Sequence, residues 1–476
     1  VRGSIESTRR VADLDGIASQ IQEERQRRIA TGRVGQGDHG RQAGQPYHGQ
    51  NRNQEVPALF DTLQTSLPGA NRKRADRVGG SLARVNPFHV CNSSRETGGG
   101  RARCYNFPVF GYRIAHHGGP EVLEWCELPR PEVQPDEVLV RVRACALNHL
   151  DLWVRNGVEG HGFPLPLVPG SEIAGEIAEV GAVAKDLDLG QPVLVAPGVS
   201  CGNCPACLSA NDPFCRVYGI FGEDRDGGYA EYVAVPRRNI LEVPTGLSFV
   251  EAAAIPLVFL TAWHMLAVRA GLRPLEDVLI HAAGSGVSSA GIQIARLLGA
   301  RKIIATASTE DKRLQAVRLG ATHTLDYASG GFAGKAREIT EGKGVEVVFD
   351  HVGGSIFEQS LKALAWGGRA VLCGSTAEPT ANINLRAVFF KSLSILGSTM
   401  GSLAELKSVL RFFDTGQLRP VIDRTLPLEK APEAQELLTD RALFGKVVLT
   451  VGDPEVACNT PVPTIETTPD ESEASS

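Results

Sequence analysis

Between Val258 and Gly397 the chain alternates two periodicities. The β-like runs DVLIHAA, KIIATAS, THTLDY, VEVVFDHVG and RAVLCGS are separated by the helical patterns AGIQIARLLG, EDKRLQAVRLG, FAGKAREITEG and SIFEQSLKALAWGG, and a sixth run, LSILGS, follows. Strands joined through helices run parallel, and the helices cover the sheet on both faces. The pattern therefore predicts a doubly wound α/β domain over 258–397.

The residues ahead of it carry a different pattern. EVLVRVRACAL, EIAGEIAEV, QPVLVA and YAEYVAV are short alternating or apolar runs set off by Pro and Gly, which predicts an irregular β domain over 112–257. After Gly397 come two more helical patterns and the strand-like KVVLTV, assigned to the completion of that β domain over 398–451. A chain of 476 residues with 42% hydrophobic content has room for two cores, since one core stops growing near ~250 residues.

Both ends differ from this block. Residues 1–110 hold sixteen arginines against one lysine, with ten acids and little hydrophobic periodicity, and residues 1–111 are expected to form a disordered extension. With two Tyr and four Phe, that arm carries no RNA-binding signature and no nucleic-acid partner is expected. Residues 452–476, acidic and rich in Pro, Thr and Ser, read as a solvated tail. The net charge of −5 gives no general pull toward nucleic acid or anionic lipid. No run approaches the ~20 apolar residues of a membrane span and the first residues lack the apolar core of a secretion signal, so a cytoplasmic location is expected.

The run DVLIHAA leads into Gly284-Ser285-Gly286-Val287-Ser288-Ser289 and then a helix. In that order, backbone amides at a helix start can cradle a pyrophosphate, and glycines at 284 and 286 permit a tight turn and close approach. Ser289 stands where a GxGxxG pattern has its third glycine, but the surrounding strand–helix units still point to a nicotinamide dinucleotide. The next run ends in Ala307 and Ser308 with no acid to hold a ribose 2′-hydroxyl. Glu310 and Asp311 belong to the following helical turn, capped by Ser308 or Thr309. Lys312 and Arg313 follow, so NADP is favoured, with NAD possible.

Cys201, Cys204, Cys207 and Cys215 lie within fifteen residues as C-x2-C-x2-C-x7-C. Four thiolates can close a tetrahedral shell around one zinc and leave no position for water or substrate, which makes the site structural. Iron–sulfur ligation is the rival, but nothing else implies electron transfer through a cluster.

With PGSEIAGEIAEVG, GGYAEYVAVP, LTAWHML, GATHTLDY, DHVGG and FGKVVL added to these motifs, the block from Tyr112 to Val451 resembles the medium-chain dehydrogenase/reductase superfamily. The resemblance implies a GroES-like barrel, a Rossmann-type domain, an active site in the cleft between them, a structural-zinc lobe and a homodimer or homotetramer. It also places the three catalytic-zinc ligands of alcohol dehydrogenases on Asn148, Ser171 and near Leu257, none of which matches, and the relay hydroxyl on Leu150. The departures resemble the zinc-free quinone oxidoreductases and enone reductases, whose Asn-x-x-Asp pattern is met by Asn148 and Asp151. That branch implies NADPH-dependent hydride transfer to a quinone or an α,β-unsaturated carbonyl, with Asn148, His149 and Asp151 as candidate catalytic residues. By the same resemblance Thr261, Tyr327, Gly374 and Lys446 approach the cofactor, together with Gly284, Ser285, Gly286, Val287, Ser308 and Lys312. Two other readings stay open: a zinc-dependent alcohol dehydrogenase using Glu172, His149 or His161, and a weakly catalytic, cofactor-bound sensor.

Overall fold

The structure, a computed structural model, describes residues 108–327 and 330–452. The disorder expected of the arginine-rich extension and of the acidic tail falls outside these residues, apart from their inner edges. At the first edge the expectation is corrected. VFGYRI forms the strand Val109–Ile114, antiparallel to Leu123–Leu128, because Val109, Tyr112 and Ile114 are buried against the barrel core.

All six runs of the α/β segment become strands of one parallel sheet. In spatial order they are His323–Leu325, Lys302–Thr306, Asp277–Ile280, Val345–Asp350, Leu364–Leu372 and Ser394–Gly397. The order reverses beside Asp277–Ile280, where consecutive connections leave to opposite sides. Beyond the carboxyl ends of the strands such a reversal opens a crevice, and the Gly284–Ser289 turn lies there.

One helix is shorter than its pattern. SIFEQSLKALAWGG predicts a helix to Gly368, but the helix Gly354–Ala363 gives way to the strand Leu364–Leu372. Gly367, at φ +71°, supplies the left-handed residue this irregular entry needs, and its amide donates to Lys391 O at 2.7 Å.

The second sheet has seven strands and is built mainly from the earlier segment. Its centre is Glu137–Ala146, flanked by Glu172–Val180 and, on the other side, by Lys446–Thr450 and Tyr232–Pro236. The strand Lys446–Thr450 arrives from the far end of the sequence and pairs antiparallel, with Val448 opposite Ala146. This register sets Lys446 beside Leu147 and Asn148, where the central strand ends; the Leu147 amide donates to Val447 O at 3.0 Å. Among the described residues no helix is long and apolar enough to cross a membrane.

Candidate active site

A cavity of about 1240 Å³ occupies the crevice. Its floor is the turn after Asp277–Ile280, where Ser285 caps the helix Gly286–Leu297 by accepting from the Ser288 amide at 3.2 Å. The amides of Gly286 and Val287, in the first helical turn, have no intrahelical acceptor. Gly284, Ser285, Gly286 and Val287 all line the cavity. Gly286 has to be glycine because an added Cβ would lie 2.5 Å from Cδ of Lys446.

The remaining residues expected at the cofactor line the same cavity. Thr261 does so with its Oγ1 buried and unpartnered, as a hydroxyl awaiting a ligand would be. Ser308, Lys312, Tyr327 and Gly374 also line it, and a side chain added at Gly374 would press to 3.3 Å from Trp153. Thr309, rather than Ser308, caps the helix Glu310–Leu319, and Glu310 and Asp311 are exposed in its first turn, away from the cavity. Lys312 Nζ donates to Arg441 O at 2.6 Å, and Arg441 lines the cavity beside it. Arg441 is a cation that sequence reasoning missed, since a basic residue in DRALFG looks like an ordinary turn.

Asn148 and the Leu257–Val258 backbone, at two of the three positions that the resemblance assigns to metal ligands, both bond to Glu172, the neighbour of the third, Ser171, and Lys446 joins them. Its ammonium donates to Asn148 Oδ1 at 2.7 Å, to Leu147 O, and to Glu172 Oε2 at 2.7 Å. Glu172 Oε2 also accepts from Asn148 Nδ2 at 3.1 Å, and Oε1 accepts the amides of Leu257 and Val258 at 2.6 and 3.1 Å. Lys446 is 4% exposed and Glu172 fully buried, so the pair is satisfied without water. Ser171 is buried with its Oγ unpartnered and does not line the cavity. These donors do not fit a catalytic zinc, which requires three protein ligands and one open position.

The three candidates for catalysis separate. His149 lines the cavity, packs edge-on against Trp153 at 5.2 Å, and has its pKa lowered by burial and by the charge of Arg441. Asn148 lines it too, but both its amide hydrogens are committed, to Glu172 and to Ala146 O at 3.4 Å. Asp151 requires correction. It is buried behind the cavity wall, accepting from the Asn148 amide at 2.8 Å and from the Tyr229 hydroxyl at 3.4 Å, and burial pushes its carboxyl up to about 6. The alternative zinc set also fails to assemble: among the described residues only the four cysteines come close enough together to hold an ion.

Beneath the turn lies a polar layer that the sequence did not reveal. His351 Nε2 lies 2.9 Å from Ser285 Oγ and 3.1 Å from Ser288 Oγ, and His281 bridges Thr306 and Ser360 at 3.1 and 2.7 Å. Burial pushes His351 down to about 4. An unfolded imidazole takes its proton near pH ~6.5, while the folded one waits until about 4, so stability falls as pH drops through that window. Between pH 7 and 5 this should cost about 2 kcal/mol. Urea unfolding of His351→Gln should show a correspondingly flatter pH dependence, and an unchanged slope would refute the assignment.

The cysteine lobe stands apart from the cavity, between Gly198–Val199 and its partner strand Gly219–Ile220. All four Sγ atoms lie within 4.8 Å of one another, with neighbours at 3.5, 3.6 and 3.9 Å. A tetrahedron with metal–sulfur bonds of ~2.3 Å has edges of roughly 3.8 Å, so the cluster fits one zinc. Cys201 is drawn down to about 6 by the amides of Asn203 and Cys204, toward the thiolate a metal binds.

Both halves of this arrangement have known counterparts. The family model of the alcohol dehydrogenase GroES-like domain matches residues 134–245, and that of zinc-binding dehydrogenases matches residues 286–415. The quinone oxidoreductase of Homo sapiens is 30% identical over 345 residues, covering 71% of this chain and 96% of that protein. The chain belongs to the medium-chain dehydrogenase/reductase superfamily. Within it, the acryloyl-coenzyme A reductase of Sulfurisphaera tokodaii is 30% identical over 327 residues, 68% of this chain and 95% of that one. A crystal structure of an NAD-dependent alcohol dehydrogenase superposes with a TM-score of 0.70 at 48% identity, covering 72% of this chain and all of that one. As a medium-chain dehydrogenase/reductase the protein is an NAD(P)-dependent oxidoreductase whose parallel sheet carries the dinucleotide site.

Proposed function

We propose that this protein reduces a quinone or an α,β-unsaturated carbonyl compound with NADPH, holding one structural zinc in the cysteine lobe and no catalytic metal. The observation that carries the reading is the Lys446–Glu172–Asn148 network, which commits Asn148, a position the resemblance assigns to a catalytic-zinc ligand, to an ammonium and a carboxylate. When bound, the cofactor supplies the hydride. The chain's own part is to orient the two partners, exclude water and stabilise the charge that develops on the substrate oxygen. His149 is the group for that last task, since its imidazole faces the cavity with no hydrogen-bond partner among the described residues. Ser308, Lys312 and Arg441 line the cavity, and the strand Lys302–Thr306 runs into Ala307 and Ser308 with no acid at its end, which suits a 2′-phosphate. The names of the human quinone oxidoreductase and of the acryloyl-coenzyme A reductase agree with this chemistry.

A second reading, NAD-dependent alcohol oxidation, is favoured by the 48% identical structure. A turnover screen separates the two: NADPH and NADH against quinones, enones and aldehydes, NAD and NADP against alcohols, with zinc counted on the same sample. The expected result is one zinc per chain and NADPH-driven reduction of enones or quinones. Alcohol oxidation with two zincs per chain would overturn it.

A further inference from the structure

Reduction of a conjugated double bond leaves the substrate one proton short once hydride has arrived, and, with His149 assigned to stabilise the substrate oxygen, the other groups at the centre of the site are not placed to deliver it. Asn148 has committed both amide hydrogens and Lys446 all three of its own. Asp151 lies behind the wall, and Leu150 carries no hydroxyl. We propose, resting on the reductase reading above, that Glu223 is the proton donor of this site and that His161 reloads it from solvent.

Glu223 lines the cavity from the loop after the strand Gly219–Ile220, its amide donating to Ile220 O at 3.2 Å. Asn156, at the far end of the helix His149–Asn156, lines the cavity as well. His161 Nε2 lies 3.6 Å from Glu223 Oε1, and their side chains are 47% and 16% exposed. The imidazole thus meets water while the carboxyl meets the cavity, the order a relay requires. His161 is fixed by its amide, which donates to Val158 O at 3.1 Å, and by its ring, 4.5 Å from that of Phe163.

The titratable groups facing Glu223 are His161, Asp224 and Tyr218. Burial and the charge of Asp224 push Glu223 up to about 7, and burial keeps the Tyr218 phenol neutral. A carboxyl poised near neutrality is half loaded at working pH, the condition for efficient acid catalysis.

In the step itself, the hydride forms a C–H bond at the β carbon, and the cofactor is oxidised by two electrons. The π pair moves onto the α carbon and carbonyl oxygen. The Glu223 O–H bond breaks as its proton goes to the α carbon or that oxygen. The carboxylate then recovers a proton from water through the His161 imidazole, which passes one on from one ring nitrogen as it takes one up at the other. One NADPH and one proton are consumed per turnover.

The test uses the full zinc-loaded chain with NADPH and 2-cyclohexenone. Wild-type kcat should fall as pH rises through about 7, and Glu223→Gln should lower kcat about 100-fold, remove that limb and leave the KM for NADPH within twofold. His161→Asn should lower kcat about tenfold and respond to added imidazole, which a purely structural role would not produce. Without cofactor, infrared difference spectroscopy should find a protonated carboxyl titrating at about 7 that vanishes in Glu223→Gln. If that variant does not fold, Glu223→Asp decides by whether the limb moves. A Gln variant that keeps its kcat and its limb, or an Asp variant whose limb stays put, overturns the proposal alone. A wild type that reduces no enone or quinone overturns the reductase reading and the donor together.

Discussion

Lys446→Met should cost about 3–5 kcal/mol of stability and abolish turnover. Among the described residues the ammonium is the sole cation touching Glu172, a fully buried carboxylate that also holds the Leu257 and Val258 amides. Methionine fills much of the same volume, so the loss isolates the charge. Removing one partner of a buried pair leaves the other unpaired in a medium where water cannot compensate, whereas removing both can be nearly neutral. Lys446→Met combined with Glu172→Gln should therefore recover most of the stability but not the activity, because Asn148 would lose the group that orients it. Denaturant titrations of the four-protein cycle read this directly. A single-variant loss below about 1 kcal/mol, the size of an exposed pair, would show that the site is wet and the pair dispensable.

Cys204→Ser should empty the cysteine lobe of metal and unfold it locally. Metal that stands a thousandfold above the dissociation constant of its site contributes about 4 kcal/mol; the lobe's helix, Pro205–Leu208, has no buried residue, and Leu208, Phe214 and Val217 are exposed, while Arg238 holds Ser200 and the Leu403 amide donates to Asp212 at the lobe's two ends. The variant and a chelator-treated wild type should each carry less than about a tenth of a zinc per chain and become sensitive to proteases between 200 and 218. Both should also unfold at lower temperature. None of the four cysteines lines the cavity, but Ile220 and Glu223 do and follow the lobe directly, so residual turnover per folded molecule should fall without vanishing. Retention of zinc by Cys204→Ser would mean that the ion sits elsewhere.

The parallel sheet was legible because its signal is local: each run and each helical stretch announces itself within ten residues, and strand order follows from chirality and packing. The cysteine lobe was legible for the same reason, four ligands within one loop. The centre of the site was not. Asn148, Ser171 and Leu257 could be compared with ligand positions one at a time, but Lys446 lies 298 residues beyond Asn148, and only the pairing of Lys446–Thr450 with Glu137–Ala146 brings it to Asn148 and Glu172. Glu223 was hidden differently. In FGEDRDGG an acid looks like part of a solvated turn, and its inward orientation depends on how that loop packs against Ile220 and His161.

The long reach of Lys446 has a consequence in time. At ~5–20 residues per second of synthesis, the edge of Glu137–Ala146 that awaits Lys446–Thr450 stands open for roughly 15–60 s after it leaves the ribosome. An open edge invites wrong partners, so this interval is when a chaperone would matter most. A nascent chain interrupted anywhere before Lys446 lacks its charge centre altogether, and enzymatic turnover therefore reports that translation has run to the last strand of the barrel.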